Sequence, residues 1–584
     1  MGYLLALGIV AIILTWVFYL ICFCALGLSL QNLFIPDVDD PIILFSSFWL
    51  GWSLLIIFLQ IWHLFFAVNI IAFTIFSVVS AICIYLNWTK LMLLRNIIPK
   101  RFYTFLMYFV ILSILVAIQS MEPTRTSDTG LYHVQSIKWI SSYPIIPGLG
   151  NLHYRLAYNN SFFLYASLLG TGVWKNMSQH LANGLLFLVI LLQTGLSLIK
   201  ILFNEKSLSP SDIVAAVLII PLAILCKIFT SSTSPDMPVF ILGTVTCISL
   251  FNLIYESKND NMQQYMGLFI IIISVIGITV KSNFMVYGLC MIFVVLIKMT
   301  KDYIRNTENR IKLSLLFIGI VCVIFLWIAR GVILSGYIAY PFPYIPVNVE
   351  WKMPFDAALQ DYLWVKSWAR LPYVSPELVL SNSDWIIPWL KRSLTSGSTI
   401  LGISLPLIIT ILSLSYIGRN FNQYRTDLYW NALFLAPSLF SGFFWFFSAP
   451  DPRFAGVIFW YLGAGTYGVA CRKFAIPWRK MQLLTATFVT FSVLLFILVF
   501  NFKKDNVKFP KYNSSPSIFG FYPLPIVELN ENITNSGLRV FIPKQGDQCW
   551  DAPLPCASRA DELNPNLRLR REEDIRYGFM ISRD

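Results

Sequence analysis

Along this chain the apolar residues fall in long unbroken runs. They show neither the alternation of a half-buried strand nor the three-and-four spacing of a helix on a soluble core. The runs cover about 3–30, 42–62, 64–87, 102–121, 180–202, 212–230, 237–255, 265–281, 283–298, 312–334, 398–418, 428–447, 454–471 and 482–502. Most are roughly 17 to 25 residues, the length with which an α-helix crosses a hydrocarbon layer about 30 Å thick. The pattern therefore predicts an all-α polytopic membrane bundle of about fourteen transmembrane helices. The breaks near His63 and Ser282 are so short that each flanking pair is either one bent helix or a hairpin.

Between the runs lie two long polar segments, 122–179 and 335–397, and a tail from about residue 503. The chain thus divides into N-terminal helices (1–121), a loop with interfacial helices (122–179), helices (180–334), an aromatic loop (335–397), helices (398–502) and a C-terminal region (503–584). That last region is rich in proline and carries short β-prone stretches such as Leu538 to Ile542, which predicts a small, loop-rich appendage. The opening run from Tyr3 to Leu30 lacks a basic segment before it and exceeds the core of a signal peptide, so it is expected to stay as a span.

Composition agrees: of 584 residues 57% are hydrophobic and only 12% charged, against roughly 25% charged in a soluble domain. The net charge of +13 would suit nucleic acid, but the basic residues sit in short connections and not in one stripe. No nucleic-acid partner is expected; the bias sets orientation instead. Lys90, Arg95, Lys100 and Arg101 mark one cytoplasmic loop. Lys200 with Lys206, then Lys298, Lys301, Arg305, Arg310 and Lys312, then Arg419 with Arg425, and finally Arg472, Lys473, Arg479 and Lys480 mark the others. If the spans alternate, all fall on one side. The segments 122–179, 231–236, 335–397, 448–453 and the tail then face outward.

Eight of the ten cysteines lie in or at the end of apolar runs, where small-residue packing accounts for them. Cys549 and Cys556 stand in polar sequence with no further Cys or His beside them to complete a zinc site. A disulfide closing a tight loop is expected, which implies an oxidising compartment.

Candidate chemistry gathers in the outward turns. Segment 122–160 places Asp128 about seven residues beyond a span, followed by Tyr132, His133, His153 and Arg155. Transfer to a hydroxyl needs a carboxylate or imidazole to take its proton, and burial at a membrane surface tunes such a group. The competing role for Asp128 is an N-cap of a helix starting at Thr129. The turn Ser231 to Pro238 offers Asp236 at the same level, again a good cap. Lys281 begins the third turn, where a lysine also snorkels to the interface. Ala449-Pro450-Asp451-Pro452-Arg453-Phe454 forms the fourth; Asp451 and Arg453 either pair with each other or leave Arg453 free to fork onto a phosphate. Loop 335–397 carries Tyr337, Tyr340, Trp351, Trp364, Trp385 and Trp389 among its aromatics, suited to an interfacial belt or to stacking on sugars and prenyl units.

With Asp128 in an early outward loop, Ser-Pro-Asp at Asp236 and Pro-Asp-Pro-Arg at Arg453, the chain resembles the GT-C class of membrane glycosyltransferases, including protein O-mannosyltransferases and the aminoarabinose transferase of lipid A. The stretches from Asp128 to Asn160 and from Cys549 to Arg571 also resemble an uncharacterised bacterial family of multi-span proteins. The GT-C resemblance implies Asp128 as catalytic base. It also matches Asp236 and Arg453 to outward-turn residues of the class; with the other outward residues, Tyr132, His133, His153, Arg155, Lys281 and Asp451, they are expected around the substrates, Arg155, Lys281 and Arg453 as phosphate candidates and Asp236 orienting one of them or a sugar hydroxyl. Its further implications are a polyprenyl-phosphate-linked sugar donor, a glycan, lipid or protein acceptor, and a bacterial inner membrane with the site on the periplasmic face. About four spans precede the acidic loop here, whereas the class usually places it after the first. Segment 122–160 holds no adjacent Asp-Asp, Asp-Glu or Asp-x-Asp pair, so no metal or other cofactor is expected. The rival readings are a transporter or flippase for a lipid-linked glycan, which would carry charges along a mid-membrane path, and an O-antigen polymerase or ligase, which would favour arginine-rich outward loops.

Overall fold

In hydrocarbon a backbone amide finds no partner except another backbone group, so uncharged apolar runs close on themselves as helices. The computed structural model describes residues 2–32, 42–97, 102–124, 126–203, 208–257, 259–305, 307–473, 485–487, 489, 520–572 and 574–582. Among these, ten helices are long and apolar enough to cross a bilayer: Tyr3–Gln31, Leu44–Trp62, Ser178–Leu202, Pro210–Phe229, Asp236–Tyr255, Asp260–Val280, Ser282–Met299, Ser314–Ser335, Ile400–Arg419 and Phe421–Ser448. This is an integral membrane protein.

Three more of the expected spans form shorter apolar helices, Ile70–Leu86, Phe105–Ser120 and Ile458–Cys471. The last has 14 residues, a rise of about 21 Å, short of the about 30 Å that hydrocarbon demands. The expected span 482–502 lies outside the described residues but for a few positions, as do Lys100, Arg101, Lys206, Arg479 and Lys480.

The break at Ser282 is a hairpin. Gly277 abuts Phe284 and Gly267 abuts Met299, a register that only antiparallel neighbours produce. The break at His63 is an irregular stretch that ends the helix Ile42–Trp62 before Ile70. The first two helices press their backbones together, since a Cβ on Gly27 would fall 1.8 Å from the Ser47 carbonyl oxygen and one on Gly51 1.9 Å from that of Phe23. Such close approach is how helices associate where no hydrophobic effect separates side chain from lipid. Trp16, Trp49, Trp52 and Tyr165 are fully buried in the resulting core.

The connections sort to two ends of the bundle. At one end Lys200 pairs with Asp212 at 3.2 Å, Arg472 and Lys473 with Asp427 at 3.3 and 2.9 Å, and the Arg472 guanidinium lies 4.1 Å from the Tyr255 ring centre. At the other end segment 122–179, the turns 231–236, 281–284 and 449–457, loop 335–397 and the C-terminal region meet. The C-terminal region holds two antiparallel ribbons, Leu529–Ile533 with Arg539–Pro543 and Leu567–Leu569 with Phe579–Ile581. Val540 and Ile542 are buried while Arg539 is exposed, the two-residue period of a one-sided strand. Cys549 and Cys556 are joined as a disulfide.

Loop 335–397 contains the helices Phe355–Arg370, Pro376–Leu380 and Ile386–Thr395. Trp385 and Trp389 turn inward onto Trp445 and Phe446 and are buried, whereas Tyr373 is 89% exposed. The aromatic content therefore divides between a small core and a free surface.

Candidate functional site

Asp128 ends a short helical turn, and the backbone from Thr129 to His133 then widens into a π-helical turn. Its side chain makes no capping hydrogen bond, so the N-cap role does not describe it. It reaches across instead to the fourth turn, accepting from Arg453 Nη1 at 3.2 Å. Arg453 Nε in turn donates to Asp451 Oδ1 at 3.3 Å, and the same oxygen accepts from the Arg453 backbone N–H at 2.9 Å. Asp451 and Arg453 thus pair locally, and Arg453 still bridges to Asp128.

Asp236 opens the helix Asp236–Tyr255 and is buried. It forms an ion pair with Lys281 and accepts from Ser234 Oγ at 3.2 Å. The Lys281 side chain is 15% exposed; it folds inward and does not snorkel. The Phe454 ring lies 5.1 Å from Lys281 Nζ and 5.7 Å from the Arg453 guanidinium, setting one aromatic face against two cations. Asn283 donates to the Phe454 carbonyl at 3.3 Å, which ties the third turn to the fourth.

A hydroxyl ladder seats the first turn on the second. Thr126 and Thr129 are 2.5 Å apart through their hydroxyls, Thr126 and Ser232 3.0 Å, and Asn183 donates to the Ser232 carbonyl at 2.8 Å. From the opposite side the disulfide loop clamps the π-helical turn. The Trp550 backbone N–H donates to the Gly130 carbonyl at 2.9 Å, and a Cβ on Gly130 would stand 2.4 Å from the Trp550 ring. Gln135 donates to the Trp550 and Ala552 carbonyls at 2.9 and 3.0 Å, and Lys138 pairs with Asp551 at 2.8 Å.

The electrostatics follow from this crowding. Burial opposes charge on Asp128, but His133, Arg453, Arg155 and Lys281 together hold its carboxyl below the ordinary range. Burial lowers the His133 pKa to about 4, so near neutral pH the imidazole is uncharged and the cations Arg453, Arg155 and Lys281 carry the effect. Burial also opposes charge on Arg453; Asp451, Asp128 and Asp236 outweigh it and keep the guanidinium protonated. Burial, then Asp128 and Asp236, push the Tyr132 phenol far above its usual range, so it keeps its proton. Its ring packs edge-on against His133 at 4.5 Å and Tyr158 at 5.6 Å.

The structure therefore brings Asp128, Tyr132, His133, Arg155, Asp236, Lys281, Asp451 and Arg453 into one cluster: three carboxylates, three cations and two rings. It does not bring in His153. That side chain accepts from the Arg155 backbone N–H at 3.1 Å and lines a separate cavity of about 250 Å³ with Tyr154, Met353 and Glu562. Burial, with Arg155 beside it, lowers its pKa to about 3.

One buried acid escaped the reading of the sequence. Asp361, on the helix Phe355–Arg370, accepts from Tyr340 at 2.7 Å and from Tyr158 at 3.1 Å, and burial raises its pKa to about 6. Its sequence surroundings, an amphipathic stretch with charges every few residues, gave no sign that it would point inward. Thr129, Ser232, Asn183 and Trp550 escaped for the same reason: each works through a partner at least 49 residues away.

Among the described residues no group of three His, Cys, Asp or Glu converges as a metal site. Of the adjacent carboxylates elsewhere in the chain, Asp561 pairs with Arg559, Glu562 accepts from Ser558 and Asp574 beside Glu572 and Glu573 pairs with Arg576, while Glu573 and Asp37 to Asp40 lie outside the described residues.

Fold and cluster define a polytopic helical membrane protein with an ion-paired polar site at one end of its bundle. The chain belongs to the family described as a domain of unknown function, DUF8201, whose model matches residues 9–460. That stretch contains every member of the cluster and stops short of the disulfide region that clamps it. No curated protein and no solved structure matches the chain.

Proposed function

We propose that this protein is a membrane glycosyltransferase of GT-C type that moves a sugar from a polyprenyl-phosphate donor to an acceptor hydroxyl on the non-cytoplasmic face. The observation that carries the reading is the bridge from Asp128 to Arg453, flanked by Lys281 and Arg155: a carboxylate able to take a proton beside cations able to hold a phosphate. In the reaction the acceptor oxygen attacks the anomeric carbon and gives its proton to Asp128. The bond from that carbon to the phosphate oxygen breaks, and the electron pair leaves on the polyprenyl phosphate. Inversion follows from the single displacement.

The ion pair also supplies an order of events. A carboxylate held below its ordinary range is a weak base. A phosphate that draws Arg453 to itself removes a cation from Asp128 and raises its basicity when the donor is in place. Arg453 and Lys281 then stabilise charge that is present in the bound donor and grows as it leaves. Catalysis is proposed to be metal-independent.

The test is release of polyprenyl phosphate from labelled polyprenyl-phosphoryl sugars by the protein in lipid nanodiscs. Asp128→Asn keeps the shape and removes the proton acceptor, so turnover should fall on the order of 10²- to 10⁴-fold with donor binding intact. Arg453→Ala should weaken binding and slow turnover together. Wild-type turnover in Asp128→Asn, or chelator-sensitive activity, would refute this assignment.

A further inference from the structure

Outside the cluster, the most exceptional side chain is Arg330. It sits on the helix Thr307–Ser335, about 8 Å below that helix's end at the rise of an α-helix, and is 3% exposed. A guanidinium stays charged in a protein, and an unpaired charge taken out of water costs several kcal/mol unless something compensates it. Yet among the described residues no carboxylate lies within 4 Å of it. Its Nη1 reaches the Gln60 carbonyl at 3.3 Å and His63 Nδ1 at 3.2 Å, and its Nε is buried with no partner.

His63 does not supply the missing negative charge. A guanidinium can only donate, so Nδ1 carries the lone pair; Nε2 then bears the hydrogen and gives it to the Tyr143 carbonyl at 3.2 Å. The imidazole is neutral. Gln60 beside it is fully buried and its amide nitrogen and oxygen both lack partners.

Arg330 lines a cavity of about 30 Å³ together with His63, Ser136, Tyr158, Asn159 and Asn160. A single water needs about 10–15 Å³ on this measure. The space suits one small ion with a water, and not a sugar phosphate. We propose that this cavity is a binding site for a small inorganic anion of chloride size, held by Arg330 with help from the Ser136 hydroxyl and the Asn160 amide. The anion neutralises a cation that the described residues leave without a carboxylate partner. Tyr158 and Phe163 also wall the cavity; Tyr158 packs against the Tyr132 ring of the cluster and Phe163 against both the Tyr132 and His133 rings. An anion here braces the back of that site without touching it.

The experiment is thermal unfolding of the whole purified protein in detergent, in sodium chloride, bromide, phosphate or gluconate at one ionic strength. Chloride and bromide should raise the midpoint saturably by roughly 2–4 °C over gluconate, and Arg330→Met should abolish the difference. Equal midpoints in chloride and gluconate would mean that the cavity holds water alone and would overturn the proposal. So would a halide effect that survives in Arg330→Met, or phosphate acting as well as chloride. If Arg330→Met does not fold, bromide-soaked wild-type crystals decide: an anomalous peak in hydrogen-bonding range of the guanidinium supports the site, and its absence refutes it. No outcome depends on glycosyl transfer, so failure here leaves that reading intact.

Discussion

Asp128 and Asp361 show how two carboxyls of one protein are driven apart by their surroundings. Cations hold the first below its ordinary range and burial lifts the second to about 6. For Asp361 the linkage is direct. Its folded pKa lies above the unfolded value near 3.8, so the native state holds the proton more tightly. The fold is favoured while the group is protonated, and that contribution is lost as pH rises from about 4 through about 6. The span corresponds to ~3 kcal/mol. Asp361→Asn should therefore flatten the fall in unfolding midpoint that the wild type shows across that window; parallel profiles for the two proteins would contradict the assignment. Asp128 runs the other way: neighbouring cations hold its carboxyl below the ordinary carboxylate range in the free protein, so kcat/KM that needs its carboxylate should show no acidic limb raised above that range. A limb near 6 would point to Asp361 as the proton acceptor.

At the scale of elements, the π-helical turn Thr129–His133 aims Asp128 at Arg453, and a widened turn is a form that functional sites often hold at some cost in backbone energy. Its support comes from the disulfide loop through Trp550. Gly130→Ala sets a methyl against the Trp550 ring, and overpacking of that kind costs about 1–3 kcal/mol. Trp550→Ala should relieve most of that penalty in the double variant, giving a large coupling in a thermal-unfolding cycle; strict additivity would show that the two do not press on each other. The loop itself spans a separation of seven residues, for which chain entropy predicts about 2–3 kcal/mol of stabilisation. Cys549→Ser with Cys556→Ser should lower the midpoint and loosen the Asp128 to Arg453 bridge together. Unchanged stability would show that the appendage is held without it.

At the scale of the whole molecule, the two ends differ in chemistry, basic connections at one and the polar cluster at the other; if the basic end faces the cytoplasm, as the bias of Lys and Arg in short loops predicts, the proposed site faces outward. Single cysteines at Tyr373, which is exposed at the cluster end, and at Thr426, exposed at the other, test this in intact cells. An impermeant thiol reagent should label Tyr373→Cys and spare Thr426→Cys, and the reverse pattern would invert the orientation and with it the proposed face of the reaction.

Much of this was legible in the chain itself, because spanning a bilayer leaves a local mark: a run of apolar residues long enough to cross, closed by its own backbone. Among the described residues ten helices of that kind stand where runs predicted them, against about fourteen expected. The turns carrying Asp128, Asp236, Lys281 and Arg453 were legible as polar punctuation between those runs. Only the tertiary structure decided which of them touch. Asp128 and Arg453 are 325 residues apart, and nothing local distinguishes a carboxylate that caps a helix from one that reaches across a bundle. The same holds for His153, which shares a segment with Asp128 yet faces another cavity, and for Asp361 and Arg330, whose burial is set by packing of distant elements. Periodicity and hydrophobicity fix where a segment lies relative to the membrane. Which side chains meet is a property of helix order and loop docking, and no single stretch of sequence carries it.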